Sequence, residues 1–232
     1  MRAVFINQDL HENTLIQINI EKAHHLINVV RLKKSETILL MNGKGSTSIG
    51  TILEITKKVV EIKLTEVRIF KRKCIIDLAI VLPKKEAFED ILRIATELGI
   101  RKVYPLVGAN TPMDYETNNE RISRILESSL EQSNNPFILE IDKKRSLNEF
   151  IISKHQYAQS FIFDVSGEGP GHLKTFTGDC LFLIGPEGGL AAHEVEKLKL
   201  NFNHTVSFGT PILRAPQAVS FGAGLLTTLL AN

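Results

Sequence analysis

Two glycine-bearing loops, each set between an apolar strand and a helix, hold the residues best placed to bind a small molecule. The first, Gly185-Pro186-Glu187-Gly188-Gly189-Leu190, follows the run Leu181-Phe182-Leu183-Ile184 and carries one carboxylate among three glycines. The second runs from Phe208-Gly209 through Ile212 and Leu213 to Arg214 and carries one cation. Parallel α/β sheets bind ligands beyond the carboxyl ends of their strands, where both loops fall. Neither loop is a phosphate cradle, because there is no Gly-Lys-Ser/Thr ending and no G-x-G-x-x-G spacing. What glycine offers instead is bare main chain that a guest can approach closely. Glu187 also stands where a helix N-terminus would stabilise a carboxylate, so its residue type leaves a structural and a chemical role both open.

Other candidates carry less. His193-Glu194 lacks the second histidine of a zinc-protease motif, and His24-His25 on a short helix reads as surface or barrel packing. Cys74 and Cys180 lie far apart at the starts of apolar runs and read as reduced, buried thiols. No metal site is expected.

The elements that position the loops have two rhythms. Up to about residue 73, short strands alternate with turns: Ile38–Met41 ending in the hairpin signal Asn42-Gly43, then Ser48–Ile55 and Val59–Val67. A helical piece, Glu21–Val30, interrupts them, so this part is expected to be a small β-barrel or curled sheet with a helical insert. After the basic connector Ile69–Lys73, strands alternate with helices: strand Ile75–Leu82, helix Glu86–Leu98 with Phe88, Ile91, Leu92, Ala95 and Leu98 inward and Gly99 as its stop, strand Lys102–Val107 and helix Glu120–Gln132. Strands follow at Phe137–Leu139, Ser160–Val165, Leu181–Ile184 and Thr205–Phe208. Helices are expected at Leu147–Ile152, at Ala192–Leu200 with Ala192, Val195, Leu198 and Leu200 at roughly helical spacing, and at Pro216–Leu230. Such alternation implies an α/β fold with a parallel sheet covered on both faces. The closing helix is apolar almost all round, so it must be buried, either in its own domain or against a second subunit, the second being favoured.

The 232 residues allow one large or two modest domains. No apolar run reaches the roughly 18 residues of a membrane span, and Met1–Leu10 lacks the apolar core of a signal peptide. A cytoplasmic protein is expected. Residues 1–73 hold 13 Lys+Arg against 7 Asp+Glu, a net +6, while the rest of the chain is net −4. A basic N-terminal part facing a polyanion fits this asymmetry, as does a solvated surface with no partner.

Several stretches together carry a family resemblance. They are "HHLINVVRLKKSETILLMNG", "KKEAFEDILRIATELGIRKVYPL", "RISRILESSLEQS", "LIGPEGGL" and "FGTPILR", in that order along the whole chain. The set resembles the small-subunit 16S ribosomal RNA uracil-N3 methyltransferases of the SPOUT class. The resemblance implies a PUA-like RNA-binding β-barrel over 1–73 and a SPOUT methyltransferase domain with a C-terminal trefoil knot over 74–232. It further implies a homodimer acting on ribosomal RNA in the small ribosomal subunit.

S-adenosyl-L-methionine would be held by Leu183, Ile184, Gly185, Pro186, Glu187, Gly188 and Gly189 on one side. Phe208, Gly209, Ile212, Leu213 and Arg214 would face them, and Asp164–Gly167 would form a third loop. Arg214 would stabilise negative charge developing on uracil, with Glu187 or Glu131 accepting the N3 proton. Arg2, Arg31, Lys33 and Lys34 would contact RNA phosphates.

Two departures from the family pattern stand out. Ala215-Pro216-Gln217 replaces a Thr-Glu-Thr after the Leu-Arg, and Ser133-Asn134-Asn135 replaces a Gly-Arg after the Glu-Gln pair. They leave room for two other readings: an RNA-binding assembly protein without activity, or an enzyme with a shifted target.

Overall fold

A computed structural model describes residues 1–19, 33–56, 59–153 and 157–231. The expected helix at 21–30, with Arg31, His24-His25 and Lys57-Lys58, lies outside the described residues. The chain divides into two compact units, Met1–Lys71 with Leu130–Ile138, and Arg72–Ser129 with Leu139–Asn232. Counted by these units rather than at residue 73, the first has 11 Lys+Arg against 8 Asp+Glu, a net +3, and the second a net −1.

The first unit is a five-stranded sheet. Its strands are β1 (Arg2–Phe5), β2 (Leu15–Asn19), β3 (Thr37–Met41), β4 (Ser46–Ile55) and β5 (Val59–Ile69), in the order β1-β3-β4-β5-β2. Period-two alternation sends Ile38, Leu40, Val60, Ile62 and Leu64 into one core. The β3–β4 hairpin forms where Asn42-Gly43 places it. The Asn42 side-chain oxygen accepts the Lys44 and Ser46 N–H groups at 2.9 and 3.0 Å. Gly43 and Gly45 take φ of +71° and +99°, conformations that side chains resist.

The expected strand Phe137–Leu139 does not form. Ile138 instead donates its N–H to the Gly43 oxygen, and Pro136 accepts the Gly45 N–H, both at 2.9 Å. The hairpin therefore uses up the polar groups that a sheet neighbour would need. Phe137 and Ile138 pack against the same hairpin glycines.

The second unit is built on a parallel sheet of β6 (Ile76–Val81), β7 (Lys102–Val107), β8 (Glu140–Ile141), β10 (Gln159–Glu168), β11 (Cys180–Ile184) and β12 (His204–Val206). They lie in the order β12-β10-β11-β6-β7-β8, and β9 (Arg145–Ser146) also pairs with β7. The helices are α1 (Lys85–Glu97), α2 (Glu120–Ser133), α3 (Leu147–Ser153), α4 (Ala192–Lys199) and α5 (Ala215–Leu229). The last turn of α2, from Leu130, belongs to the first unit. β11 is buried along its whole length, as a central strand covered on both faces must be. Burial pushes the Cys180 thiol up to about 12, so Cys180 is an inert core residue.

Some residues expected inside are not. Leu98 and Leu200 are exposed, while on α4 it is Glu194, with Val195 and Leu198, that is buried. The closing helix α5 packs against α1 and buries Ala218, Val219, Gly222, Ala223 and Leu226 within its own chain. Its other face stays open, with Phe221 45% exposed. Among the described residues no helix is long and apolar enough to cross a membrane.

Candidate active site

β11 and β12 end at one level on either side of β10, where Phe163 pairs with both Ile184 and Val206. β10 itself runs on to Glu168 with a shift in its pairing, so the third loop expected at Asp164–Gly167 lies within the strand. Between the loops that follow lies a cleft of about 270 Å³. Asp164 and Val165 line it from β10, Ile184 to Leu190 from β11, and Ser207, Phe208, Thr210 and Pro211 to Leu213 from β12. Ala215 and Ala218 of α5 close it.

Of the expected cofactor residues, Ile184, Gly185, Pro186, Glu187, Gly188, Gly189, Phe208, Ile212 and Leu213 fall on this wall. Leu183 sits one residue too early and packs in the sheet core with Ala79 and Leu198. Gly209 turns the loop at φ +67° without facing the cleft. Arg214 is exposed at the N-cap of α5, between the lining residues Leu213 and Ala215.

Gly188 is the informative glycine. A Cβ there would meet only the Asn110 Cβ at 3.4 Å, an ordinary contact. The protein's own packing therefore does not require a glycine at 188. A bare wall at this point is what a group seated in the cleft would require. Gly189 differs, since its φ of +71° demands glycine on conformational grounds.

Two residues outside the expected cofactor set fix the glycine loop. The buried Glu194 carboxylate accepts the Ala109 N–H through Oε1 at 2.7 Å and the Ala191 N–H through Oε2 at 2.9 Å. It thus ties the loop after β7 to the start of α4. The Asn110 amide then donates to the carbonyls of Gly188 and Gly189 at 3.3 and 3.0 Å. Read only against a zinc motif, Glu194 looked incomplete. The available signal was its place three residues after the start of the α4 turn, the glutamate half of a capping box.

Glu187 is exposed, and its Oε1 accepts the Lys84 N–H at 3.3 Å. The helix N-terminus it serves is that of α1, not the α4 terminus ahead of it in sequence. Burial, and then the charges of Glu187 and Glu86, push the Tyr115 hydroxyl well above the usual tyrosine range, so it stays protonated and donates to the Pro83 carbonyl at 2.9 Å.

On the cleft wall, Phe208 stacks on Phe163 with ring centres 4.5 Å apart and meets Phe221 edge-on at 4.9 Å. Gly222 lets α5 lie against Phe163, because a Cβ there would come within 2.9 Å of the ring.

The remaining candidates lie in the first unit. Glu131 Oε1 accepts the Phe5 N–H at 2.8 Å. Arg2 pairs with Glu36 at 3.7 Å, and the same carboxylate accepts the Lys33 N–H at 2.8 Å. Lys33 and Lys34 are exposed. Arg31 is outside the described residues.

Residues 71–227 match the family described as RNA methyltransferase domain, and residues 18–65 match the RNA methyltransferase PUA domain. The chain belongs to this RNA methyltransferase family. A ribosomal RNA small subunit methyltransferase E from Rickettsia conorii is 26% identical over 227 residues, spanning 93% of this chain and 90% of its own. One from Bacillus subtilis is 24% identical over 227 residues, 91% and 89% of the two chains. The crystal structure of a ribosomal RNA small subunit methyltransferase E from Neisseria gonorrhoeae, bound to S-adenosyl methionine, shares the fold. Its TM-score is 0.89 at 20% identity, over 99% of this chain and 98% of that one. A Legionella pneumophila methyltransferase in complex with the same cofactor superposes with a TM-score of 0.87. The cleft therefore belongs to the methyltransferase domain, at the strand ends of its sheet.

Proposed function

We propose that this chain methylates N3 of a uridine in 16S ribosomal RNA of the small subunit, with S-adenosyl-L-methionine as the methyl source. The observation that carries this reading is the cleft where β11 and β12 end level with Phe163 of β10, with bare main chain at Gly188, in a chain of an RNA methyltransferase family. Ile184, Gly185, Gly188, Phe208, Ile212 and Leu213 would hold the cofactor, which supplies an electrophilic methyl group on a positively charged sulfur.

The chain's own residues supply the rest. The loops orient the acceptor against that methyl group, and orientation of this kind contributes about 7–11 kcal/mol. Arg214 stabilises the negative charge that gathers on the uracil oxygens as N3 loses its proton. Of the two candidate proton acceptors, Glu187 is favoured because it lines the cleft, whereas the Glu131 carboxylate holds the Phe5 N–H. Glu194 and Asn110 act through the main chain by fixing the glycine loop. Arg2, Lys33 and Lys34 meet RNA phosphates without reading sequence.

The reading also includes a cytoplasmic homodimer and a knotted C-terminal passage. The second is supported by the strand order and by the end of α5 returning to the loop before β11, where Phe176 pairs with Leu230.

One observation favours a second reading, an RNA-binding protein without activity. Buried Ala215 and Pro216 occupy the first turn of α5, where the resemblance leads one to expect a hydroxyl and a carboxylate. Mass spectrometry of ribosomal RNA nucleosides, with and without the gene, separates the two. Loss of 3-methyluridine on deletion, restored by purified protein and cofactor, is expected. Unchanged 3-methyluridine would sink the first reading.

A further inference from the structure

The first unit holds a second cleft, of about 300 Å³, on the β4–β5 face of its sheet. Thr47 pairs with Arg68 and Ile49 with Glu66, and the two-residue period of β5 brings Phe70 to the same face. Ile49, Phe70 and Pro136 make apolar walls, and Glu66, Arg68 and Asn134 stand among them. Phe70 remains 46% exposed, and Ile69 and Met1 beside it are more exposed still. Asn134, at φ +54°, holds a left-handed turn that brings it to the cleft without a glycine.

The chemistry of this lining selects its guest. Arg68 Nε lies 2.7 Å from Glu66 Oε1, so the Arg68 charge is already paired and a phosphate gains little from it. A flat apolar ring with a hydrogen-bonding edge gains more. Its face meets Phe70 and Ile49, while its edge meets an amide, a carboxylate and a guanidinium. The unit's net charge of +3 favours a polyanion as the carrier of that ring. We propose that this cleft binds one unstacked nucleobase of the RNA substrate, separate from the uridine that is methylated. The inference rests on the RNA-directed reading above. It requires single-stranded or looped RNA, because a base inside a duplex has no free face.

The chain contains no tryptophan, so Phe70→Trp introduces a single reporter. Its emission should be quenched by a single-stranded RNA of about a dozen nucleotides, and not by an abasic strand of equal length that keeps every phosphate. Phe70→Ala should weaken binding of the same RNA roughly tenfold with the slope against salt unchanged, because no phosphate contact is lost. Equal quenching by the two strands would overturn the proposal, as would wild-type RNA affinity in Phe70→Ala. A change of oligomeric state in Phe70→Ala, with RNA affinity intact, would give the cleft to a second copy of the chain and equally overturn it. Methyl transfer by the unmodified protein is measured alongside. If it persists while Phe70 proves irrelevant, the cleft proposal fails and the enzymatic reading stands.

Discussion

Glu194→Ala is the sharpest probe of how the cofactor loop is held. The carboxylate accepts two main-chain N–H groups, from Ala109 at 2.7 Å and Ala191 at 2.9 Å. Hydrogen bonds to a charged group contribute about 1.5–3 kcal/mol each. Ala109 is exposed and Ala191 half-buried, so water recovers part of the loss on truncation. A net cost of about 2–3 kcal/mol for the pair follows. In a chain of this size that lowers Tm by roughly 4–12 °C. Glu194→Gln keeps one acceptor oxygen and turns an NH2 toward the other donor, so it should cost about half as much.

Cofactor affinity should fall further than fold stability alone predicts. Binding needs the closed loop, and the apparent affinity scales with the fraction of molecules in which it is closed. Thermal unfolding and a calorimetric titration with S-adenosylmethionine measure the two effects. An alanine variant that melts with the parent and binds the cofactor equally well would refute the tie between these loops.

Gly188→Val should abolish cofactor binding in the same titration while the melting curve stays near that of the parent, since a Cβ at 188 meets only Asn110. Arg214→Ala should cut methyl transfer by about 10²–10³ with little change in cofactor affinity, because the arginine charge matters chiefly as uracil becomes anionic. The Glu89 carboxylate is held below its usual range by hydrogen bonds from Arg121 Nε and Nη2, both 2.7 Å long. Its stabilisation is therefore present above the unfolded carboxylate value of about 4.3 and lost as pH falls through the lower folded value. Urea titrations across this window should show Glu89→Gln less stable at neutral pH and less sensitive to acid.

Repetitive physics made much of this fold readable. An unbroken apolar run announced β11, and a stripe at Phe88, Ile91, Leu92 and Ala95 announced α1. Asn42-Gly43 announced the hairpin, and Lys102–Val107 emerges as β7 with those bounds. The cleft was readable because two strands end on glycine. What could not be read depends on a partner distant in sequence. Glu194 gains its role only when Ala109 is folded beside it, and Phe137 loses its strand because the hairpin takes its neighbours' hydrogen bonds. Leu200 continued the helical stripe by spacing alone, yet it falls past the end of α4 and faces solvent.

The order in which residues appear during synthesis gives the segment Leu130–Ile138 a further consequence. Leu130 fills a buried cluster with Phe5 and Met41, and Ile138 packs against it. None of these closing residues exists when β5 leaves the ribosome. The 58 residues from Arg72 to Ser129 must be made first, which takes roughly 3–12 s at ordinary elongation rates. Through that interval Phe5 and Met41 lack their cover, and the Phe5 N–H awaits Glu131. The first unit to be begun is thus completed only after 58 residues of the second have been made, and a fragment ending at the connector is a strand set missing its seal.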